Sequence, residues 1–147
     1  MPDAASQPAV FDTNILASAF TSPRGAPRAL LEYALHGDVQ LVLVTSPALL
    51  DEFEDCLVEV FHYERRLAAA TRSAIEDIAL VVEPTSVPQV CRDPDDDHVL
   101  AAGVTGGAEY IVTRDKDLLT LGSYEGIPIV EPAPFLHLVR ERLQAPG

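Results

Sequence analysis

The chain alternates short, nearly continuous apolar runs with stretches in which apolar residues return every three or four positions, a pattern that predicts strands interleaved with amphipathic helices. Val10-Phe11 ends a first buried strand, and Asp12 stands where that strand should stop. Ile15, Leu16 and Ala19 then follow at the spacing of a helix's inner face, reaching about Phe20. Pro and Gly within 21–26 mark a loop. Pro27 suits the first position of a helix over 27–36, with Ala29, Leu30, Tyr33 and Ala34 inward and Gly37 closing it. Residues 39–44 form a strand apolar enough for burial on both faces, as parallel sheets require. Ser46 is the expected N-cap of the next helix, Pro47 its first residue, and Leu49, Leu50, Phe53, Leu57 and Val60 its stripe. A helical region over 63–80 places Leu67, Ala70, Ala74, Ile75 and Ile78 on one face, and 81–83 is a short strand before a loop over 85–89. Asp93 or Asp95 caps a helix entered through Pro94, packed by Leu100, Ala101 and Val104 and ended by Gly106-Gly107. Strands over 108–113 and 127–130 follow. A closing helix over 134–143 turns Phe135, Leu138, Val139 and Leu143 inward and Arg140, Glu141 and Arg142 outward.

Strand–helix alternation of this kind predicts an α/β protein with a parallel sheet and right-handed crossovers. With 147 residues and 48% hydrophobic content, the chain has the length of one domain and the apolar content of a globular core. Residues 8–143 are expected to form that domain, with 1–7 and 144–147 as flexible tails. No apolar run approaches the roughly 20 residues that span a bilayer, and the start lacks the pattern of a signal peptide, so a cytoplasmic protein without a membrane partner is expected. Cys56 and Cys91 share no metal-ligand spacing with the four His residues and read as reduced, partly buried small hydrophobes.

Charge complicates the picture. A formal net charge of −13 opposes binding to phosphate polymers, unless part of the acidity gathers in one pocket where a divalent cation reverses its local effect. The sheet architecture provides such a place, since strand ends and the first turns of the following helices open on the same edge. Asp12 at the end of the first strand, Asp97 in the first turn after Asp93-Pro94, and Asp115 after the strand over 108–113 all fall there; Glu52 joins them from the second turn of its helix. A structural reading competes at each position: Asp12 as an N-cap, Glu52 as one of several solvated acids beside Asp51, Glu54, Asp55 and Glu59, and the run Asp93 to Asp97 as charges that complement a helix dipole. Carboxylates about 4 Å apart repel by roughly 4 kcal/mol at an effective dielectric near 20. An all-oxygen cluster therefore calls for a counterion, and suits Mg²⁺ or Mn²⁺ rather than zinc.

The segments Val10-Phe11-Asp12-Thr13-Asn14, Ser46 to Phe53, Asp93 to Ala102, Tyr110 to Leu119 and Pro132 to Leu136 together resemble the PIN-domain nucleases, most of all the VapC-like toxins of bacterial toxin–antitoxin pairs. The resemblance runs from about residue 8 to residue 143 and implies a three-layer α/β/α fold around a central, mainly parallel sheet. It implies a metal-dependent endoribonuclease using Mg²⁺ or Mn²⁺, with Asp12, Glu52, Asp97 and Asp115 matching the family's four acids. Asn14 and Thr113 match its supporting polar positions. Metal-activated water would attack an RNA phosphodiester and leave a 5′-phosphate and a 3′-hydroxyl. It further implies a cognate antitoxin and suggests a homodimer. Asp96, adjacent to Asp97, is the alternative ligand; the spacing to Leu100-Ala101 favours Asp97. Asp117 either assists Asp115 or caps the turn after it, and Arg114 stands where related sequences often have a small residue. Arg24, Arg28 and Arg114 lie nearest in sequence to the acids and are the candidate RNA contacts. Two other phosphate chemistries fit poorly: a phosphorelay receiver needs paired acids after the first strand, and a haloacid-dehalogenase-like phosphatase needs an acid where Asn14 stands. A non-catalytic PIN-like interaction module is the alternative to catalysis.

Overall fold

Gln7–Phe11 (β1) sits at the centre of the sheet, and its burial is almost complete. The computed structural model describes residues 6–36 and 41–144, with side chains described as far as Arg142. After β1 come Thr13–Thr21 (α1), Ala26–His36 (α2), Leu41–Thr45 (β2), Pro47–Glu59 (α3), Arg65–Ile78 (α4) and Leu80–Val81 (β3). Pro94–Thr105 (α5), Tyr110–Val112 (β4), Lys116–Leu121 (α6), Ser123–Tyr124 (β5), Ile127–Val130 (β6) and Pro132–Gln144 (α7) complete the chain. The sheet order is β3-β2-β1-β4-β6-β5, parallel throughout except for the β5–β6 pair. β1 lies between β2, which follows it directly, and β4, which is reached only after the chain returns from the far side. Its carboxyl end is thus the point where the strand order reverses, the usual ligand position in open α/β sheets.

Alternation along the strands divides the core into two layers. Ala9, Phe11, Leu41, Leu43 and Val112 face the cluster built with α1, α2, α3, α4 and α7, whereas Val10, Val44, Ile111, Ile127 and Ile129 face α5 and α6. The three-layer α/β/α architecture expected from the resemblance is therefore present. Gly106 ends α5 where a Cβ would stand 2.5 Å from Val44 Cγ1, so the helix approaches β2 through the absence of a side chain.

Several sequence expectations shift. Gln7, expected in a tail, is the buried first residue of β1, and Gln144 belongs to α7. The expected Gly37 stop, the first part of the strand over 39–44, residues 1–5 and 145–147, and the inward side of Leu143 lie outside the described residues and side chains. On α4 the stripe is rotated: Ala68 and Ile75 are buried, while Leu67, Ala70 and Ala74 are exposed. The reason is ionic as well as apolar. Arg72 reaches Asp51 at 2.6 Å and Glu54 at 3.3 Å, and Arg65 reaches Asp55 at 3.1 Å, so α4 turns these two arginines toward α3. Val60 and Val104, expected inward, are exposed. β5 was not expected; it forms a hairpin through Glu125 (φ 50°) and Gly126 (φ 78°), the two left-handed residues of a tight turn that matches strand twist. Among the described residues no helix is long and apolar enough to cross a membrane.

Candidate functional site

Asp12 ends β1 and opens α1, where its carbonyl accepts from Ile15 N (2.9 Å) and Leu16 N (3.1 Å). Its carboxylate makes no capping bond. Instead Oδ2 accepts from the Thr113 hydroxyl at 2.7 Å, and Oδ1 lies 3.5 Å from the Thr13 hydroxyl. Asp12 thus caps α1 through its backbone alone, and its carboxylate is held instead by the hydroxyls of Thr113 and Thr13. Burial raises its pKa, the Thr113 bond opposes that, and the charge of Asp115 adds to it.

Thr113, buried, follows β4 and links two acids, because its oxygen also accepts from Asp115 N at 2.9 Å. Asp115 then caps α6, accepting from Asp117 N at 3.3 Å. Oxygens of Asp96, Asp115 and Asp117 all lie within 4.8 Å of one another. Asp96 is buried in the first turn of α5, and its pKa is pushed up to about 8 by burial, by a hydrogen bond with Asp115, and by the charges of Asp115, Asp12 and Asp93. Glu52, on α3, lies beside Asp12 and Thr13. Burial raises its pKa to about 7, with Asp95, Asp12 and Asp93 adding repulsion and Thr13 opposing it by a hydrogen bond.

The placement of Asp97 differs from the expectation. Its Oδ1 accepts from Val90 N (3.1 Å) and Cys91 N (2.8 Å), and the backbone bonds of Cys91 and Val90 overcome burial to lower its pKa. Asp96, the alternative from the same turn, faces Asp115 instead. Successive residues on a helix differ by about 100°, so one acid of the pair enters the cluster and its neighbour fastens the preceding loop. Asp93 does cap, accepting from Asp95 N at 3.0 Å.

The remaining candidates separate clearly. Asn14 is exposed in the first turn of α1. Arg28 donates to Glu32 and to the Ala19 carbonyl at the end of α1, both at 3.3 Å, which is a structural engagement. Arg24 and Arg114 are exposed. Of the competitors of Glu52, Asp51, Glu54 and Asp55 are paired with the α4 arginines, and Glu59 is exposed. Thr13 escaped the sequence reading although it immediately follows Asp12; its hydroxyl reaches two acids. Both cysteines are free thiols, and burial together with Asp97 pushes Cys91 up to about 12, so neither is a reactive thiolate.

The donor set fits a hard divalent cation. Asp96, Asp115 and Asp117 offer only oxygens, and burial, with repulsion from neighbouring acids added, raises the carboxyl pKa values of Asp96 and Glu52.

The chain matches the model of the family described as PIN domain over residues 8–117. It is 31% identical over 117 residues to the uncharacterized protein MJ1680 of Methanocaldococcus jannaschii, a match covering 76% of this chain and 73% of that protein. PAE2754 from Pyrobaculum aerophilum has a similar structure, with a TM-score of 0.61 and 14% identity over 96% of this chain and 94% of that one. VapBC2 from Rickettsia felis, crystallised bound to a DNA fragment from their promoter, gives a TM-score of 0.58 and 10% identity over 84% of this chain and 97% of that one. The structural likenesses carry the fold, and the sequence match, spanning most of the chain and both ends of the acid cluster, carries the kinship. The chain belongs to the PIN-domain family, whose members are generally nucleases.

Proposed function

We propose that this protein is a metal-dependent endoribonuclease acting as the toxin of a toxin–antitoxin pair. The observation that carries the reading is the convergence of Asp96, Asp115 and Asp117 within 4.8 Å, with Asp12 held beside them at the point where the strand order reverses. Asp96 and Asp115 would hold the cation, Mg²⁺ or Mn²⁺, with Asp117 as a further oxygen donor; in this reading Asp96 takes the role expected of Asp97. When bound, the cation supplies Lewis acidity and a water of lowered pKa. Thr113 and Thr13 keep the Asp12 carboxylate in one orientation toward that group. Glu52, with a pKa of about 7, can hold a proton taken from the attacking water near neutral pH, as a general base must. The water oxygen bonds to phosphorus as the P–O3′ bond breaks, and O3′ takes a proton from solvent, so the products carry a 5′-phosphate and a 3′-hydroxyl.

An antitoxin partner is supported by the likeness to VapBC2; a homodimer is a further expectation of the resemblance. The test is cleavage of labelled RNA by purified protein with Mn²⁺, Mg²⁺ or EDTA. Metal-dependent cutting that is lost in Asp115→Asn, with its melting curve retained, is the expected result. Metal-independent cutting, or wild-type rates in Asp115→Asn, would overturn it. A folded protein that binds neither Mn²⁺ nor RNA favours the interaction module instead.

A further inference from the structure

We propose that a second site lies at the amino edge of the sheet, opposite the acid cluster, and that it binds a short aliphatic diamine. One ammonium sits against Gln7 and Glu109, and the other against Glu141 across the cleft. The site is independent of the nuclease reading. The cleft has a volume of about 320 Å³ and is lined by Gln7, Glu109, Tyr110, Leu138, Glu141 and Arg142.

The cleft exists because the strands start unevenly. β1 begins at Gln7, whereas β4 begins only at Tyr110, the register partner of Ala9. The turn before β4 therefore flanks the start of β1, tied to it by Glu109 N donating to the Pro8 carbonyl at 2.8 Å. Gln7 shares a strand face with Ala9 and Phe11, so its side chain points into the layer that contains α7. It is 3% exposed, and its Oε1 has no hydrogen-bond donor among the described residues. Buried amide oxygens nearly always accept a hydrogen bond, so this one calls for a donor. The last torsion of a glutamine is soft, and a small rotation presents the oxygen to a donor in the cleft that Gln7 lines.

The lining selects the chemistry of that donor. Two carboxylates face one guanidinium, that of Arg142, which makes contacts of its own. Glu109 and Glu141 are exposed, and Glu141 also meets His137 Nε2 at 3.1 Å. An ammonium has three donors and no acceptor, which suits an amide oxygen and a carboxylate together. The walls between the carboxylates are apolar: Leu138, and the half-buried Tyr110 ring, held against Phe135 at a centroid distance of 5.2 Å. A methylene chain can pack there, whereas a bare divalent cation would gain nothing from those walls and would want more oxygens.

The experiment is calorimetric titration of the full chain with 1,4-diaminobutane at roughly physiological salt, where nonspecific attraction to an acidic protein is screened. We expect one diamine per chain, a raised Tm at saturation, and affinity for 1-aminobutane about tenfold lower. Gln7→Leu and Glu109→Gln should each weaken the diamine about tenfold, the scale of one hydrogen bond to a charged group. Glu141→Gln should weaken the diamine and leave 1-aminobutane unchanged. Glu64→Gln, which removes an exposed carboxylate outside the cleft, and Asp115→Asn, at the opposite edge, should bind as the wild type does. Because Glu109 and Glu141 are exposed, their variants keep the test decisive if Gln7→Leu is unstable. Wild-type affinity in both Glu109→Gln and Glu141→Gln would overturn the proposal, as would losses as large in Glu64→Gln, or a loss in Asp115→Asn alone. Non-saturable heat would also overturn it, and equal affinity for 1-aminobutane would reduce the site to a single ammonium and refute the diamine. None of these results bears on cleavage at the acid cluster.

Discussion

Asparagine at position 96 should stabilise the metal-free protein, and asparagine at position 97 should destabilise it, although the two residues are adjacent acids in one helical turn. The Asp96 pKa rises from 3.8 to about 8 on folding, so the folded chain holds a proton that the unfolded chain releases. As pH rises from about 4 to about 8 the folded state is penalised progressively, and the penalty is constant above that window. At about 1.4 kcal/mol per pH unit the unscreened penalty is roughly 6 kcal/mol. Water reaches the cluster through exposed Asp117 and screens it, so about 2 kcal/mol is expected. Asparagine does not titrate, and its amide can donate to Asp115 as protonated Asp96 does. The Tm of Asp96→Asn in EDTA should therefore exceed that of the wild type by roughly 4–8 °C at about pH 8.5, and by nothing near pH 4. Asp97 has the opposite sign. Its folded pKa is lowered, so its contribution is present at neutral pH and is lost as pH falls below the ordinary carboxylate value. Asn keeps an acceptor but not the charge that assists two N–H bonds, at a cost of about 1–2 kcal/mol. Melting curves in EDTA and in Mn²⁺ provide the assay. The Mn²⁺ shift should shrink sharply in Asp96→Asn and survive in Asp97→Asn. A stabilised Asp97→Asn that has lost its Mn²⁺ response would refute the assignment and return Asp97 to the cation.

Three further outcomes follow from the same geometry. Glu52→Gln should reduce cleavage by roughly 10²- to 10⁴-fold, the range typical of a lost general base; Glu54→Gln, which breaks ion pairs to Arg65 and Arg72, should cost less than about 1 kcal/mol and leave cleavage unchanged, so equal losses of activity would count against the role of Glu52. Because Glu52 and Asp96 hold protons up to about 7 and about 8, Mn²⁺ affinity measured by calorimetry should rise from pH 6 to pH 8 and level off above, with proton release; a flat profile would contradict the raised values. Thr113→Val removes the hydroxyl that orients Asp12 and accepts from Asp115 N, and should weaken Mn²⁺ binding about tenfold in a folded protein; unchanged affinity would make that bond purely structural.

What the sequence by itself determined was the order of elements, the parallel sheet, and the edge on which acids gather. Those features depend on local period and on chain connectivity: Val10-Phe11 ending at Asp12, Ser46-Pro47 and Asp93-Pro94 opening helices, and Gly106 ending one. The tertiary structure alone decided how side chains are shared out. Residues 95–97 are all aspartates, so they carry no apolar period to reveal which acid faces inward; the loop amides of Val90 and Cys91 claim Asp97, and Asp96 is left against Asp115. The same holds for α4. Its sequence offers one broad apolar arc, and contacts met only after folding decide which edge of it is covered: Arg72 reaches Asp51 and Glu54 of α3, Ala68 and Ile75 are buried, and Leu67, Ala70 and Ala74 stay outside. Periodicity fixes which residues share a face; contact with distant elements fixes where that face points.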